Sequence, residues 1–379
     1  MPPLRVLYII DGLGSGGAQR QLVTLIRAAD RDIIAPEVAY YRDRRHFVPE
    51  LAAEGVPVHP IIAGGGRDPR TLVRIARLIR ANDYDLIHTY LARPGILARL
   101  ATFTGGPPVI LSERSVSLGK TAWVRITENL LAGRAAGMIV NAEAIREHVE
   151  EAAPAWRGRI TLVPNGVATV EPTDEERQSA ARFRSEHVKD GNGLLFVSIA
   201  RLADAKDPHM LLDALAALPD ELRRRVSVVW VGACREAAFG ESVRRRVGEL
   251  GLRDTITFRD PVRDVRPLYL AADAVLLTSA WEGFPNVVLE ALSLGRPVIA
   301  TAVGDVASLV RHEATGLLAQ PGDACLFAER IEAFARMDED ARSAMGARGR
   351  DLVRAEYSPQ ALFERTLAVY RRVLAARAA

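Results

Sequence analysis

The chain has 379 residues, too many for one ordinary domain at roughly 150 to 200 residues each, so two domains with separate cores are expected. With 49% hydrophobic residues, 26% charged residues and a net charge of +3, the composition excludes disorder and gives no general case for a nucleic-acid partner. Two cysteines, Cys234 and Cys325, exclude a disulfide framework and lack histidines at metal-ligand spacing, so a reducing, cytoplasmic setting without a metal centre is expected. The short apolar run before Asp11 lacks the pattern of a signal peptide, and no later run approaches the ~18 apolar residues of a membrane span. Membrane contact, if made, is therefore expected to be peripheral. Arginine clusters at Arg42, Arg44, Arg45 and at Arg70, Arg74, Arg77, Arg80 suit either an anionic membrane, at the inner face of the cell membrane, or a solvated surface.

In chain order, strands are predicted at Leu4–Ile10, Ile34–Tyr40, Val56–Pro60, Leu86–His88, Val109–Leu111, Met138–Val140 and Ile160–Val163, alternating with helices such as Pro69–Ala81 and Ala142–Glu151. The polar stretch Pro172–Gly193, closed by Lys-Asp-Gly-Asn-Gly, is expected to connect the domains. A second alternation follows, with strands at Leu194–Ile199, Val226–Val231, Thr255–Phe258, Ala274–Leu277 and Pro297–Ala300. Strand and helix in alternation imply parallel sheets covered by crossover helices, hence an α/β protein of two Rossmann-like domains. The expected division is an N-terminal domain over 1–180, a C-terminal domain over 190–358 and a final helix over 359–379. That helix has apolar Leu362, Phe363, Leu367, Tyr370 and Leu374 near helical spacing, and is expected to pack on one of the domains, with the first a candidate.

Three strings suggest chemistry. Asp11-Gly12-Leu13-Gly14-Ser15-Gly16-Gly17-Ala18 follows the first strand and satisfies G-x-G-x-x-G, which suits a dinucleotide turn or another phosphate-binding loop. The acidic residue that a dinucleotide site wants after the second strand has only Asp43 as a candidate, inside an Arg-Asp-Arg-Arg run. Ala200-Arg201-Leu202-Ala203-Asp204-Ala205-Lys206-Asp207 follows another strand, and Arg201 and Lys206 can converge on one diphosphate. Lys206 is one of only three lysines, with Lys120 and Lys189, in a chain that otherwise uses arginine. Glu282-Gly283-Phe284-Pro285-Asn286-Val287-Val288-Leu289-Glu290 lies beyond the strand Ala274–Leu277 and predicts a helix over Pro285–Leu294, with Pro285 in its first turn. Glu282 and Glu290 then lie near the carboxyl end of a parallel strand, where they can accept from sugar hydroxyls beside a helix N-terminus suited to an anion.

The nine-residue string resembles the E-x7-E motif of glycosyltransferase family 4, a family of retaining enzymes with the GT-B fold. The resemblance implies that Glu290 binds the donor ribose, that Glu282 lies against the donor sugar, and that Gly283, Phe284, Pro285, Asn286 and Val287 also face the donor. The Arg201–Lys206 loop resembles the family's G-R-x4-K-G, with Ala200 and Asp207 where the family has glycines, and implies a role in neutralising the donor diphosphate. Gly16 and Gly17 resemble the family's G-G-A loop, whose glycines approach the donor phosphate. Asp85–Tyr90 resembles its I-H-x-H strand end, giving His88 and Tyr90 an acceptor-side role, although Tyr90 replaces the second histidine. Arg114, after Glu113, resembles a position near the cleft. Val163–Val167 resembles the P-N-G-V turn at the domain junction, and Val303-Gly304-Asp305 the late glycine turn, with Ser308 at the usual glutamate.

The expectation is thus a GT-B enzyme, with two facing Rossmann-like domains and an interdomain active-site cleft. Its catalytic candidates are Arg201, Lys206 and Glu282. It would move a sugar from a nucleoside-diphosphate sugar, UDP favoured over GDP, to a glycan or lipid-linked acceptor in surface polysaccharide or glycoconjugate synthesis, with no cofactor. A nucleotide-sugar epimerase, a nicotinamide-dependent oxidoreductase and a non-catalytic nucleotide-sugar-binding protein are the alternatives.

Overall fold

The computed structural model describes residues 2–114, 121–188 and 193–378. Its elements in chain order begin β1 (Leu4–Ile10), α1 (Gly17–Ala28), β2 (Ile34–Tyr40), α2 (Val48–Ala53), β3 (Val58–Pro60), α3 (Pro69–Arg80), β4 (Leu86–Tyr90), α4 (Ala92–Ala101), β5 (Val109–Glu113) and α5 (Ala122–Leu130). They continue with β6 (Gly137–Val140), α6 (Glu143–Ala152), β7 (Ile160–Leu162), α7 (Asp174–His187), β8 (Leu194–Ile199), α8 (Pro208–Ala217), α9 (Asp220–Arg225), β9 (Val226–Val231), α10 (Ala237–Glu249) and β10 (Ile256–Arg259). The last are α11 (Arg266–Ala271), β11 (Ala274–Leu277), α12 (Asn286–Ser293), β12 (Val298–Thr301), α13 (Val306–Leu309), β13 (Gly316–Ala319), α14 (Ala324–Arg336), α15 (Glu339–Glu356) and α16 (Pro359–Ala378).

The chain forms two compact units, one of residues up to Gly166 together with those from Tyr357 onward, the other spanning Val167–Glu356. Among the described residues the first unit has a seven-stranded sheet of order β3-β2-β1-β4-β5-β6-β7 and the second a six-stranded sheet of order β10-β9-β8-β11-β12-β13. Neighbouring strands pair in parallel, including β1 with β4 and β8 with β11. Each order reverses direction at its first strand, so each sheet has a topological switch point, β1/β4 in one and β8/β11 in the other. Val6–Ile10 and Leu195–Val197 are fully buried, as central strands with helices on both faces require.

The first unit is made of two separate pieces of sequence. Leu362, Phe363, Leu367, Val369 and Tyr370 of α16 pack in one core with Val6, Tyr8 and Ile10 of β1 and Leu22 and Ile26 of α1. Where the pieces pass, Gly166 lies so close to Ser358 and Leu362 that a methyl group on it would stand 3.0 Å from the Ser358 carbonyl oxygen. The Gln21 side-chain amide holds Gly166 by both backbone groups, donating to its carbonyl at 3.0 Å and accepting from its N–H at 2.9 Å.

The structure differs from the expected connection over Pro172–Gly193, of which Lys189–Asn192 lies outside the described residues, as does Lys120. The units divide at Gly166/Val167, and 174–187 is α7, whose Ala180 and Phe183 are buried. Thr173 and Glu176 form a reciprocal capping box at its start, Arg266 of α11 pairs with Glu176 at 2.5 Å, and Arg184 pairs with Asp273 at 3.0 Å. A helix with two buried residues has almost no apolar period to read. β13 was also not expected: it is four residues long and begins at Gly316, where a methyl group would overlap the Val298 carbonyl oxygen of β12.

Candidate active site

In the second unit, the loops that leave the carboxyl ends of β8 and β11 meet at the switch point. Ala200, directly after β8, accepts from the Trp230 indole N–H at 2.8 Å, and Gly232 lets β9 pass where any side chain would overlap the Ala200 carbonyl. The loop then makes a 3-10 turn at Asp204–Lys206 and reaches Asp207, whose φ of 42° is left-handed. Asp207 also caps α8, its carboxylate accepting from the Met210 N–H at 3.0 Å. Aspartate tolerates the left-handed region better than most residues, so this position keeps the backbone path a glycine would allow and gains a helix cap. Ala200 is not left-handed and needs no glycine.

The loop after β11 is stitched to this one. The Ala280 N–H donates to the Ala205 carbonyl at 3.0 Å, and the Thr278 hydroxyl to the Lys206 carbonyl at 3.0 Å. The Lys206 ammonium forms an ion pair with Glu282 Oε1, which also accepts from the Ser279 hydroxyl at 2.7 Å. Both partners are largely shielded, with side-chain exposures of 19% for Lys206 and 12% for Glu282. Arg201 is exposed, and among the described residues it makes no hydrogen bond or ion pair. One shielded, pre-oriented cation and one uncommitted cation therefore stand on the same loop.

Pro285 is the N-cap of α12 rather than part of its first turn, with ψ of 96°, and the helix starts at Asn286. Phe284 is buried, and Glu290, half-buried on α12, accepts from the Tyr269 hydroxyl at 3.0 Å. Tyr269 is fully buried on α11, so the carboxylate it holds has a fixed direction. The turn at Gly304 has φ of 50° and crosses the Glu282–Gly283 backbone so closely that a methyl group would overlap the Glu282 carbonyl, and Asp305 N–H donates to Gly283 O at 3.2 Å. Arg201, Lys206, Glu282, Gly283 to Val287 and Glu290 thus all belong to the β8 and β11 loops and the helix after them. Sequence reasoning missed Tyr269 and Ser279.

In the first unit, Gly16 is the extended N-cap of α1 and Gly17 its first residue, both exposed. Gly12, Gly14, Gly16 and Gly17 do not adopt left-handed backbone, so their value is space: a methyl on Gly12 would stand 3.0 Å from the Arg42 carbonyl oxygen. After β2 come buried Tyr41 and then Arg42, which pairs with Asp11 at 3.5 Å, while Asp43 pairs with Arg45. An arginine stands where a dinucleotide site needs a carboxylate.

The acceptor-side expectation for His88 and Tyr90 meets a structural difference. His88 is fully buried, with Nδ1 2.6 Å from the Tyr370 hydroxyl and Nε2 2.8 Å from the Ser112 hydroxyl, and burial holds its pKa well below the ordinary histidine value. Neither ring nitrogen is available to a ligand. Tyr90 is fully buried too, and burial pushes its hydroxyl pKa up. Both sit on β4, a central strand, and that is the physical reason. Arg114, half-buried, stacks 5.1 Å from the Tyr90 ring centroid and donates to Asn165 Oδ1 at 2.7 Å, which joins the end of β5 to the Val163–Val167 segment. Among the described residues no group of three or more His, Cys, Asp or Glu side chains could hold a metal ion.

Comparison with known proteins adds the family. A model described as "Glycosyltransferase Family 4" matches residues 15–171, and one described as "Glycosyl transferases group 1" matches residues 179–352. The D-inositol 3-phosphate glycosyltransferase of Streptomyces avermitilis is 28% identical over 283 residues, 70% of this chain and 60% of that protein. The D-inositol 3-phosphate glycosyltransferase 1 of Catenulispora acidiphila is 28% identical over 346 residues, 84% of this chain and 81% of that one. The match thus spans about three fifths of the Streptomyces relative's length. Among solved structures, Anabaena HepE in complex with UDP superposes with a TM-score of 0.82 at 21% identity, covering 97% of this chain and 100% of that chain, a likeness of fold.

Proposed function

Because the chain belongs to glycosyltransferase family 4, the group 1 glycosyltransferases, and has their GT-B fold, we propose that it transfers a sugar from a nucleoside-diphosphate sugar to a glycan or lipid-linked acceptor, with retention at the anomeric carbon. The observation that carries this reading is the pair of oriented carboxylates at one switch point, Glu282 held by Lys206 and Ser279, and Glu290 held by Tyr269. The second unit is the donor side and the first unit the acceptor side. A UDP-sugar is the first donor to test, because HepE was solved with UDP. An inositol phosphate belongs in the acceptor screen on the strength of the curated relatives' names.

In this mechanism the bond from the anomeric carbon to the diphosphate oxygen breaks with its electron pair, and the bond to the acceptor oxygen forms. The acceptor proton passes to the departing phosphate. Arg201 and Lys206 stabilise the charge that develops on the diphosphate, together with the N-terminus of α12. Glu282 positions the sugar and Glu290 the ribose, while Gly16 and Gly17 leave room for phosphate at the start of α1. No metal is required by these steps. The enzyme works in the cytoplasm, with peripheral contact at the inner face of the membrane.

The test is a thermal-shift titration against UDP, GDP, ADP, NAD and NADP. A ligand at a hundred times its dissociation constant adds about 2.7 kcal/mol to the stability of the unit that binds it. Saturable stabilisation by one nucleoside diphosphate, lost in Glu290→Ala, is expected. Stabilisation by NAD or NADP alone would overturn the reading.

A further inference from the structure

The helix α5 of the first unit has two apolar faces. Val124 is buried and packs with Ile96 of α4 and with Leu131 just beyond the helix. A second stripe of Trp123, Ile126 and Leu130 is 61%, 60% and 79% exposed. At 100° per residue these three positions fall within about 60° of one another, so they form one outward line along the whole helix. Arg125 and Glu128 lie on other faces. Leu100 and Phe103, at the end of α4, are also exposed.

Each end of the stripe leads to arginines. Trp123 borders a groove of about 340 Å³ with Leu97 and Leu100, and Arg67 and Arg93 line it. Beyond Leu130 lies a groove of about 610 Å³ lined by Phe103, Arg134, Arg372 and Arg377, with no acidic side chain in its wall. Arg134 stacks 4.0 Å from the Phe103 ring centroid and donates to the Phe103 carbonyl at 2.9 Å, so this cation is held beside exposed apolar surface. The groove abuts Val109 and Ala136, at the amino-terminal edge of β5 and β6, opposite the strand ends that bind ligands in such sheets. Across residues 61–134 there are eleven Lys and Arg against five Asp and Glu. The one acid in the first groove's wall, Asp68, is engaged by Arg70 at 2.6 Å.

We propose that α5 and its two flanking grooves are a docking surface for an anionic phospholipid bilayer, with Trp123, Ile126 and Leu130 entering the interface and Arg134, Arg372 and Arg377 receiving phosphate headgroups. An apolar stripe supplies burial that an ordinary protein surface does not offer, and arginines at both ends supply attraction that a neutral bilayer does not satisfy. The stripe has a single direction and no charge within it, so the helix lies flat in the interface. This inference deepens the membrane contact proposed above and is independent of the donor site.

The experiment is flotation of the full chain with vesicles of phosphatidylcholine alone and of phosphatidylcholine with about 30 mol% phosphatidylglycerol. Binding to the anionic vesicles, weakened by high salt, and none to the neutral ones is expected. Trp123→Ser with Leu130→Ser, and separately Arg134→Ser with Arg377→Ser, should each cut the bound fraction at least about tenfold. The melting temperature and the nucleotide response report folding, and any variant that fails them is replaced by Ile126→Ser alone. Equal binding to both vesicles, no binding, or indifference to the stripe substitutions would overturn the proposal. So would a concentration-dependent dimer in light scattering that the stripe substitutions abolish, which would give the surface to a second copy of the chain. Loss of the nucleotide response with intact vesicle binding would sink the donor reading alone.

Discussion

The Lys206–Glu282 pair is the sharpest place to test the energetics of the candidate site. Lys206→Met leaves the Glu282 carboxylate with the Ser279 hydroxyl and no cation, at 12% side-chain exposure. Breaking a buried pair from one side costs about 3 to 5 kcal/mol, and the residual exposure of both partners puts this case near ~3. The second unit spans about 190 residues, Val167–Glu356, for which each kcal/mol moves the midpoint by about 2 to 4 °C. A fall of roughly 6 to 12 °C in its unfolding midpoint is therefore expected by differential scanning calorimetry. Glu282→Gln in the same chain removes the stranded charge while keeping an acceptor for Ser279, so the double variant should regain about half of the loss or more. A single-variant shift under about 1 °C, or a double variant as damaged as the sum of the two singles, would refute the claim that the two charges are shielded partners.

Tyr269→Phe removes a donor that directs Glu290, a hydrogen bond to a charged group worth about 1.5 to 3 kcal/mol, so it should lower the unfolding midpoint of the second unit by roughly 3 to 12 °C and weaken nucleoside-diphosphate binding about tenfold by isothermal titration. Asp207→Gly keeps the left-handed backbone and loses only the cap, so its stability should fall by a few tenths of a kcal/mol, whereas Asp207→Val loses both and should cost about 2 kcal/mol in denaturant unfolding. His88 has a depressed folded-state pKa, so its neutral form adds stability that is present above the unfolded value near 6.5 and is lost as pH falls below it. Between pH 6.5 and 5 this one group should cost the first unit up to about 2 kcal/mol, and His88→Gln should flatten that part of the pH profile of the unfolding midpoint.

The strands that were easiest to read are those at the centres of the sheets. β1 is apolar from Val6 to Ile10 and β8 from Leu194 to Val197 because both faces are covered there, and the bounds of both strands came out as expected. α7 hid behind its own charges, and β13 behind its length and its glycine. In the candidate site, Glu282, Glu290, Arg201 and Lys206 stood out because the two strings that carry them, each following a strand, resemble motifs of family 4. Tyr269 did not, since it approaches Glu290 from another helix with no spacing that links them. The same central position that made β4 legible also sealed His88 and Tyr90, and a tighter rule was available: a strand between β1 and β5 points no side chain at solvent. Loop residues beyond the strand end, such as Arg114, are the ones such a sheet can present.

The crossing at Gly166 and Ser358 has a consequence for the order of events during synthesis. The second unit is inserted into the first, and its two ends leave from points in van der Waals contact. Bringing the ends of a flexible segment of that length together costs roughly 5 kcal/mol in chain entropy. Once the insert has folded, that cost has already been met by its own core, and α16 arrives beside β1 and β4 as a near neighbour. Until then the hydroxyl of Tyr370 is missing from His88, and the emerging first unit waits with an open apolar face for the last helix of the chain. Removal of α16 should therefore trap the nascent protein at this stage, as an aggregation-prone first unit attached to a second unit that has already folded.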